Sequence, residues 1–130
     1  MMIKQVIVVR KELNMRKGKI AAQVAHAAMK VFFDRMTKSK NAGENLYKTN
    51  FTKEMEEWMK GAFTKVVVSV DTEDQIYQIA EQARLADIPY AVIIDNGLTE
   101  FKGQKTVTCV AVGPAESKDI DKITGSLQLI

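Results

Sequence analysis

Short runs of β-branched residues alternate along this chain with segments of helical periodicity. The first run is almost continuously apolar after Gln5, as in a strand that is covered on both faces of a sheet. The four runs are IKQVIVV at residues 3–9, TKVVVSV at 64–70, PYAVIID at 89–95 and KTVTCVAVG at 105–113, and LQLI at 127–130 adds a candidate edge strand. Strands that alternate with helices predict an α/β sandwich, with helices on both faces of a mixed or mainly parallel sheet.

Four segments have the periodicity of helices. In the first, from Gly18 to about Phe33, apolar residues recur at i, i+4, i+7 and i+11, which predicts a core-facing stripe of Ile20, Val24, Ala27 and Val31. The others lie at 52–63, 71–88 and 116–124, and the polar residues 37–49, with Asn41 and Gly43, predict a loop. In the last long strand, alternation predicts one face made of Thr106, Thr108, Val110 and Val112.

Length, composition and missing motifs exclude several classes of protein. The 130 residues fit one domain, 1–130, and Cys109 and His26 are the only residues of their types. A disulfide framework and a closed zinc site are therefore excluded, and we expect no cofactor and no metal, with carboxylate-bound magnesium left open. Without a Walker loop, G-x-G-x-x-G or G-x-S-x-G, the motifs of nucleotide-binding proteins and serine hydrolases are absent. The chain has neither a membrane-spanning run nor a signal-peptide pattern, so we expect a cytoplasmic protein with no membrane contact.

Charge is distributed unevenly along the chain, although the formal net charge is only +3. Residues 1–20 carry six cations and one acid, whereas residues 71–90 carry five acids and one cation. This asymmetry favours a polyanionic partner at one face of the molecule, with a solvated surface of mixed charge as the alternative.

The start of the first helix is strongly basic, in the stretch MRKGKIAAQVAHAA at residues 15–28. Cations there oppose the helix dipole, but they become favourable when a phosphate or another anion binds at the N-terminus. A polar stripe beside the apolar one consists of Lys19, Gln23, His26 and Lys30. We interpret Lys19 as part of an anion site and His26 as a partly buried histidine that supports it. A solvated basic loop is the alternative interpretation.

The third strand ends at Asp95, and ligands of open α/β sheets collect beyond the carboxyl ends of strands. Asp95 is therefore a candidate base or positioning group, and its alternative role is to cap the Asp-Asn-Gly turn. Thr99 on the next loop, and Thr106 and Thr108 along one face of the last long strand, are candidates for presenting hydroxyls to a reacting carbonyl. Threonines are also good strand formers, which is the alternative explanation for Thr108.

Three stretches together resemble the archaeal and eukaryotic type of peptidyl-tRNA hydrolase. They are VIVVRKELNMRKGKIAAQVAHAA at 6–28, IIDNGLTEF at 93–101 and TVTCVAVGPAESKDIDKITGSLQLI at 106–130. The resemblance implies a three-layer α/β/α sandwich around a mixed, mainly four-stranded sheet, often in homodimers. It also implies an enzyme that cleaves the ester between a peptide and the 3′ end of tRNA.

The motifs of the family carry over to specific residues of this chain. The resemblance implies a catalytic set of Lys19, Asp95, Thr99 and Thr108. His26 also matches a histidine of the family motif, and we assign supporting roles to His26 and to Gln23, which lies on the same polar stripe. Nearby cations are the candidates for contacts with tRNA phosphates, namely Arg10, Arg16, Lys17, Lys30 and Lys105.

The loop after Asp95 departs from the family pattern. Asn96, Leu98 and Glu100 stand where the family usually has alanine, a basic residue and glutamine. The loss of a cation and the gain of an anion predict weaker phosphate contacts at this loop.

The resulting hypothesis is hydrolysis of peptidyl-tRNA by an activated water, in translation and ribosome rescue, without a metal or a covalent intermediate. Asp95 would orient or deprotonate the water while Lys19 and a threonine stabilise the oxyanion; the reverse assignment makes a neutral Lys19 the base. One alternative is a non-catalytic tRNA-binding or adaptor protein of the same fold. Another is an amidase or esterase that acts on a small aminoacyl conjugate.

Overall fold

The computed structural model describes residues 2–40 and 45–130. In chain order these residues form β1 (Ile3–Arg10), a 3₁₀ turn (Lys11–Leu13), α1 (Lys17–Phe33), β2 (Met36–Lys38), β3 (Tyr47–Thr49), α2 (Lys53–Lys60), β4 (Lys65–Val70), α3 (Glu73–Leu85), β5 (Tyr90–Asp95), β6 (Thr106–Glu116), α4 (Ser117–Thr124) and β7 (Gln128–Leu129). The four predicted helices, the four predicted long strands and the edge strand near the C-terminus are confirmed.

A mixed five-stranded sheet, in the order β5-β6-β1-β4-β7, forms the middle layer. β1 and β4 run parallel, while β6 lies antiparallel between β1 and β5. β7 adds only two paired residues to the outer side of β4. The predicted three-layer α/β/α sandwich around a mixed, mainly four-stranded sheet is therefore confirmed, with β7 as a short fifth strand.

The two faces of the sheet carry separate apolar cores, because alternate residues of β1 point in opposite directions. On one face Ile7 packs with Ala27 of α1 and Met55 of α2. On the other face Val8 packs with Ile76 of α3, and Ile120 of α4 belongs to the same cluster. The sheet is thereby enclosed by α1 and α2 on one side and by α3 and α4 on the other.

Two local predictions are corrected by the structure. Residues 37–49 were expected to form a loop, but β2 and β3 pair as a short antiparallel ladder; Asn41 and Gly43 lie outside the described residues. Short polar strands have no apolar alternation, so this pair gives no sequence signal. In α1, Ala27 and Val31 are buried as predicted. Gln23, which is predicted to lie on a polar stripe beside them, is fully buried as well.

A β-bulge in β6 changes which residues share a face of the sheet. Ile93 pairs with Cys109 and Ile94 with Val107, so Thr108 is an extra residue in the ladder. As a result Thr108 and Cys109 both contact Gln23 of α1, while Val107, Val110 and Val112 belong to the core on the opposite face. The predicted common face of Thr108, Val110 and Val112 is therefore wrong.

Cys109 is fully buried beside α1, and its thiol donates to the backbone oxygen of Gln23 at 3.4 Å. Burial raises the pKa of the Cys109 thiol to about 11, so little thiolate exists near neutral pH. We expect iodoacetamide at pH 8 to alkylate the native protein about a hundredfold more slowly than free cysteine. Mass spectrometry follows the reaction, and denaturant should restore the rate of free cysteine. Fast alkylation of the native chain would contradict this burial.

Candidate active site

The start of α1 and the end of β5 meet at an ion pair between Lys19 and Asp95. The Lys19 Nζ donates to Asp95 Oδ1 at 3.1 Å, and the two side chains are only 12% and 13% exposed. The structure thus brings together the two residues on which the sequence-based hypothesis depends. It places them at the N-terminus of a helix and at the carboxyl end of a strand, where ligands commonly bind.

Lys19 has two further contacts, both with the loop that follows β5. Its ammonium donates to Thr99 Oγ1 at 2.8 Å and lies 5.4 Å from the centre of the Phe101 ring. A cation over an aromatic face is electrostatically favourable. These contacts fix the position of the ammonium between the loop and Asp95, and they leave Thr99 exposed at the surface.

Asp95 accepts hydrogen bonds on both carboxylate oxygens. Oδ1 accepts from Lys19 and from Gln23 Nε2 at 2.9 Å, and Oδ2 accepts from the Gly97 amide at 2.8 Å. Burial favours the neutral acid, but the Gly97 amide, Lys19 and Gln23 together hold the pKa of Asp95 below its usual range. Asp95 is therefore ionised at neutral pH, and its contribution to stability is lost only as the pH falls through this lowered pKa.

Gly97 supports Asp95 through its backbone. Its φ of 80° lies in the left-handed region, and a Cβ at this position would collide with the backbone carbonyl of Gln104. The turn therefore requires glycine to aim the amide at Asp95. This role of Gly97 is not among the predictions from the sequence, although the Asp-Asn-Gly turn was the available signal.

Gln23 connects Asp95 to the sheet. Its Nε2 donates to Asp95, while its Oε1 accepts from Thr108 Oγ1 at 2.6 Å. Thr108 is fully buried, so its hydroxyl cannot reach a reacting carbonyl in this structure. This corrects the expectation that Thr108 presents its hydroxyl to substrate. Thr108 instead fixes the orientation of the Gln23 amide, because its hydroxyl hydrogen requires an acceptor on that side.

An open cleft of ≈ 500 Å³ lies beside the ion pair. Its walls come from the first half of α1 and from the loop after β5, and the lining residues are Gly18, Lys19, Ala22, Gln23, His26, Asp95, Asn96, Leu98, Thr99 and Glu100. His26 is exposed rather than partly buried, because the polar stripe of α1 faces solvent at this turn. The prediction that His26 is partly buried is therefore wrong, although His26 does line the cleft.

The N-terminus of α1 has no side-chain cap and no acidic residue in its first turn. α3, by contrast, begins with a capping box between Thr72 and Gln75 and has two acids in its first turn. The α1 amides therefore stay available to an anion. Next to them, the exposed Arg16 side chain donates to Glu100 at 2.9 Å, and Lys17 is exposed.

The other predicted phosphate contacts differ in their surroundings. Arg10 donates to Glu12 and to the backbone oxygen of Val107, and Lys30 pairs at 2.8 Å with Asp34, the residue that caps the C-terminus of α1. Lys105 is exposed and lines a neighbouring cleft together with Glu100 and Arg10. The structure thus places Arg16 and Lys17 at the entrance to α1. Arg16, Arg10 and Lys30 each have an acidic partner in the protein.

Two features are absent from residues 2–40 and 45–130. None of their helices is long and apolar enough to cross a bilayer. No group of three or more His, Cys, Asp or Glu side chains among them is arranged to hold a metal ion.

Comparison with known proteins gives a consistent result over the whole chain. A family model described as peptidyl-tRNA hydrolase PTH2 matches residues 3–130. A peptidyl-tRNA hydrolase of Sulfurisphaera tokodaii is 40% identical over the full length of both chains. Relatives of the same name from Haloquadratum walsbyi and Staphylothermus marinus are 39% and 41% identical over 98% of this chain, covering 99% and 94% of their own lengths.

The Gln23–Thr108 hydrogen bond can be tested by removing one partner and then both. Gln23→Leu leaves the buried Thr108 hydroxyl with only the weak sulfur acceptor of Cys109 at 3.6 Å, so we expect it to lower the free energy of unfolding by about 1–3 kcal/mol. In the double variant Gln23→Leu/Thr108→Val the orphaned hydroxyl is gone, and the loss should be smaller than the sum of the two single losses. Chemical denaturation measures all four proteins, and strict additivity would contradict the contact.

Proposed function

The chain belongs to the peptidyl-tRNA hydrolase PTH2 family, and on that premise we propose that it hydrolyses the ester bond of peptidyl-tRNA, releasing peptide and free tRNA. The observation that carries this proposal is the Lys19–Asp95 pair in the wall of an open cleft at the uncapped start of α1. A carboxylate that accepts from water, a cation that donates to an oxyanion and a helix N-terminus that attracts phosphate are what this reaction needs.

The charge state of Asp95 favours one division of roles in the mechanism. A carboxylate whose pKa is lowered is a weak proton acceptor at neutral pH, but it remains a good hydrogen-bond acceptor. We therefore assign Asp95 to orienting the attacking water. Lys19, held beside it, would stabilise the negative charge that develops on the carbonyl oxygen, together with the exposed Thr99 hydroxyl.

The proton balance follows from the overall reaction. The water oxygen attacks the ester carbonyl, and the tetrahedral intermediate collapses by breaking the bond to the ribose oxygen. The proton that the water loses ends on that ribose oxygen, which leaves as a hydroxyl of tRNA, and the peptide leaves with a carboxyl group. This scheme requires no metal and no covalent enzyme intermediate, and both features are part of the proposal.

In this scheme Gln23 and Thr108 act as positioning residues. Thr108 holds the Gln23 carbonyl, and the Gln23 amide in turn donates to Asp95. The sequence-based catalytic set is thereby reduced to Lys19, Asp95 and Thr99. His26 lines the same cleft and is proposed to contact bound substrate there.

We also propose a cellular setting that follows from the substrate. Peptidyl-tRNA is made on ribosomes, so the enzyme would act in the cytoplasm, in translation and in ribosome rescue. Homodimer formation is a further proposal, which sedimentation equilibrium of the purified chain tests directly.

The catalytic assignment predicts a large loss of activity from two substitutions. We expect Asp95→Asn and Lys19→Met each to lower the hydrolysis rate of N-acetyl-aminoacyl-tRNA by about 10²–10⁴-fold, because water orientation or oxyanion stabilisation is lost. Asp121→Asn is the matched control, since Asp121 lies on α4 and pairs with Lys4. Chelator should leave the wild-type rate unchanged. Tight tRNA binding without any cleavage by the wild type would favour the non-catalytic adaptor instead.

The Arg16–Glu100 ion pair predicts a salt-dependent gain in tRNA binding. Arg16 is 85% exposed but is partly neutralised by Glu100, so Glu100→Gln should free it for a phosphate. We expect tRNA affinity to rise about fivefold at low salt, and the slope of log K against log salt to steepen by about one. In an Arg16→Gln background the same change should have no such effect. Equal slopes in all variants would exclude Arg16 from phosphate binding.

A further inference from the structure

β5 lies at one edge of the sheet and ends at Asp95. Its register with β6 shows which of its backbone groups point outward. The Gly113 amide donates to the Pro89 carbonyl at 2.7 Å, so Pro89 and Gly113 form a hydrogen-bonded pair of the antiparallel ladder. Such pairs alternate along the ladder, and Ala91 and Ile93 therefore also face β6. The N–H and C=O groups of the intervening residues, Tyr90, Val92 and Ile94, point away from the sheet.

These outward groups are open to a partner. Within residues 2–40 and 45–130, the backbone of Tyr90, Val92 and Ile94 makes no hydrogen bond outside the strand ladder. Tyr90 and Ile94 are also exposed residues, at 37% and 55%. An edge of this kind accepts an added strand readily.

The two edges of the sheet differ in how they are protected. Natural proteins block edges with charged residues, prolines or very short strands. The edge beyond β4 is closed by β7, which is two residues long. β5 has six residues, and its only charged residue is Asp95 at the cleft. The unprotected edge is therefore the one that leads to Asp95.

We propose that β5 binds the peptide part of peptidyl-tRNA as an added parallel strand. This inference rests on the proposed function, because the ester carbonyl must lie near Lys19 and Asp95. The carbonyl belongs to the C-terminal residue of the peptide, so the peptide runs from Tyr90 towards Asp95, in the direction of β5 itself. From Tyr90 to Ile94 the edge extends for about 13 Å, which is enough for about four peptide residues.

Backbone pairing suits this substrate because it does not depend on side chains. Main-chain hydrogen bonds supply the affinity in strand addition, while specificity comes from pockets for side chains. A peptidyl-tRNA hydrolase meets peptides of many sequences. A site along β5 would therefore bind peptides of any sequence. It would also favour a peptide of several residues over a single blocked amino acid.

The first arm of the test varies the length of the peptide on one tRNA. We compare kcat/KM for N-acetyl-alanyl-tRNA with that for acetylated chains of two to six alanines. We expect kcat/KM to rise about tenfold up to about four residues and then to level off. Equal values at all lengths would overturn the edge proposal while leaving the proposed function standing. Cleavage of none of the substrates would overturn both.

The second arm removes single backbone donors from the substrate. In a parallel strand only alternate residues direct their amides to the neighbouring strand. N-methylation at one alternate set of positions should therefore lower kcat/KM about fivefold per position, and methylation at the other set should change it less than about twofold. Loss that does not alternate with position would overturn strand pairing.

The third arm removes an outward donor from the protein. Val92→Pro removes the outward N–H of residue 92 without removing a hydrogen bond to β6. Val92→Ala is the matched control that keeps this N–H. The advantage of the tetrapeptide over the single-residue substrate should shrink about fivefold in the proline variant but not in the alanine variant. Thermal unfolding tests whether both variants fold. If the proline variant does not fold, the N-methylated substrates of the second arm test the proposal instead. If Val92→Pro instead converts a dimer to a monomer in sedimentation, β5 is an interface between copies, which would overturn the proposal.

Discussion

The ion pair between Lys19 and Asp95 determines the geometry of the whole candidate site. Two charges that are nearly removed from water cost free energy unless further hydrogen bonds compensate them. Here both partners have such bonds: Lys19 donates to Thr99, and Asp95 accepts from Gln23 and the Gly97 amide. The pair therefore joins the start of α1 to the end of β5 without leaving a charge uncompensated. The same arrangement holds the loop after β5 against one wall of the cleft.

A second constraint comes from the bulge in β6. By placing an extra residue opposite Ile93, the bulge directs Thr108 at α1, where it binds Gln23. Gln23 in turn donates to Asp95, so α1, β6 and the loop after β5 together fix the position of one carboxylate. A group held in this way needs little reorganisation when charge develops beside it, which is how preorganised sites lower a barrier. The edge of β5 ends at the same carboxylate, and backbone recognition of the peptide would therefore place its ester at the ion pair.

The sequence predicts the layers of this fold well, because strand and helix periodicity are local properties. It also predicts that Lys19 and Asp95 belong to one site, since a basic helix start and a strand-end carboxylate both suit anion and ester chemistry, and the two side chains do form an ion pair. The contact of Thr108 with Gln23 could not be predicted, because it depends on a bulge that shifts the register of β6. No residue of the sequence indicates that bulge. The partners of Arg10 and Lys30 are likewise set by the folded backbone. The paired β2 and β3 are too short and too polar to show alternation.

The proposed site depends on Asp95 being kept ionised by the donors around it. Carbon-13 NMR of the Asp95 carboxyl, followed from neutral to acidic pH in the folded protein, measures this directly. The structure predicts a pKa below the usual value of an aspartate, and a higher value when Lys19 is replaced by methionine. An Asp95 carboxyl that titrates at or above the usual value, unchanged by that replacement, would contradict the proposed site.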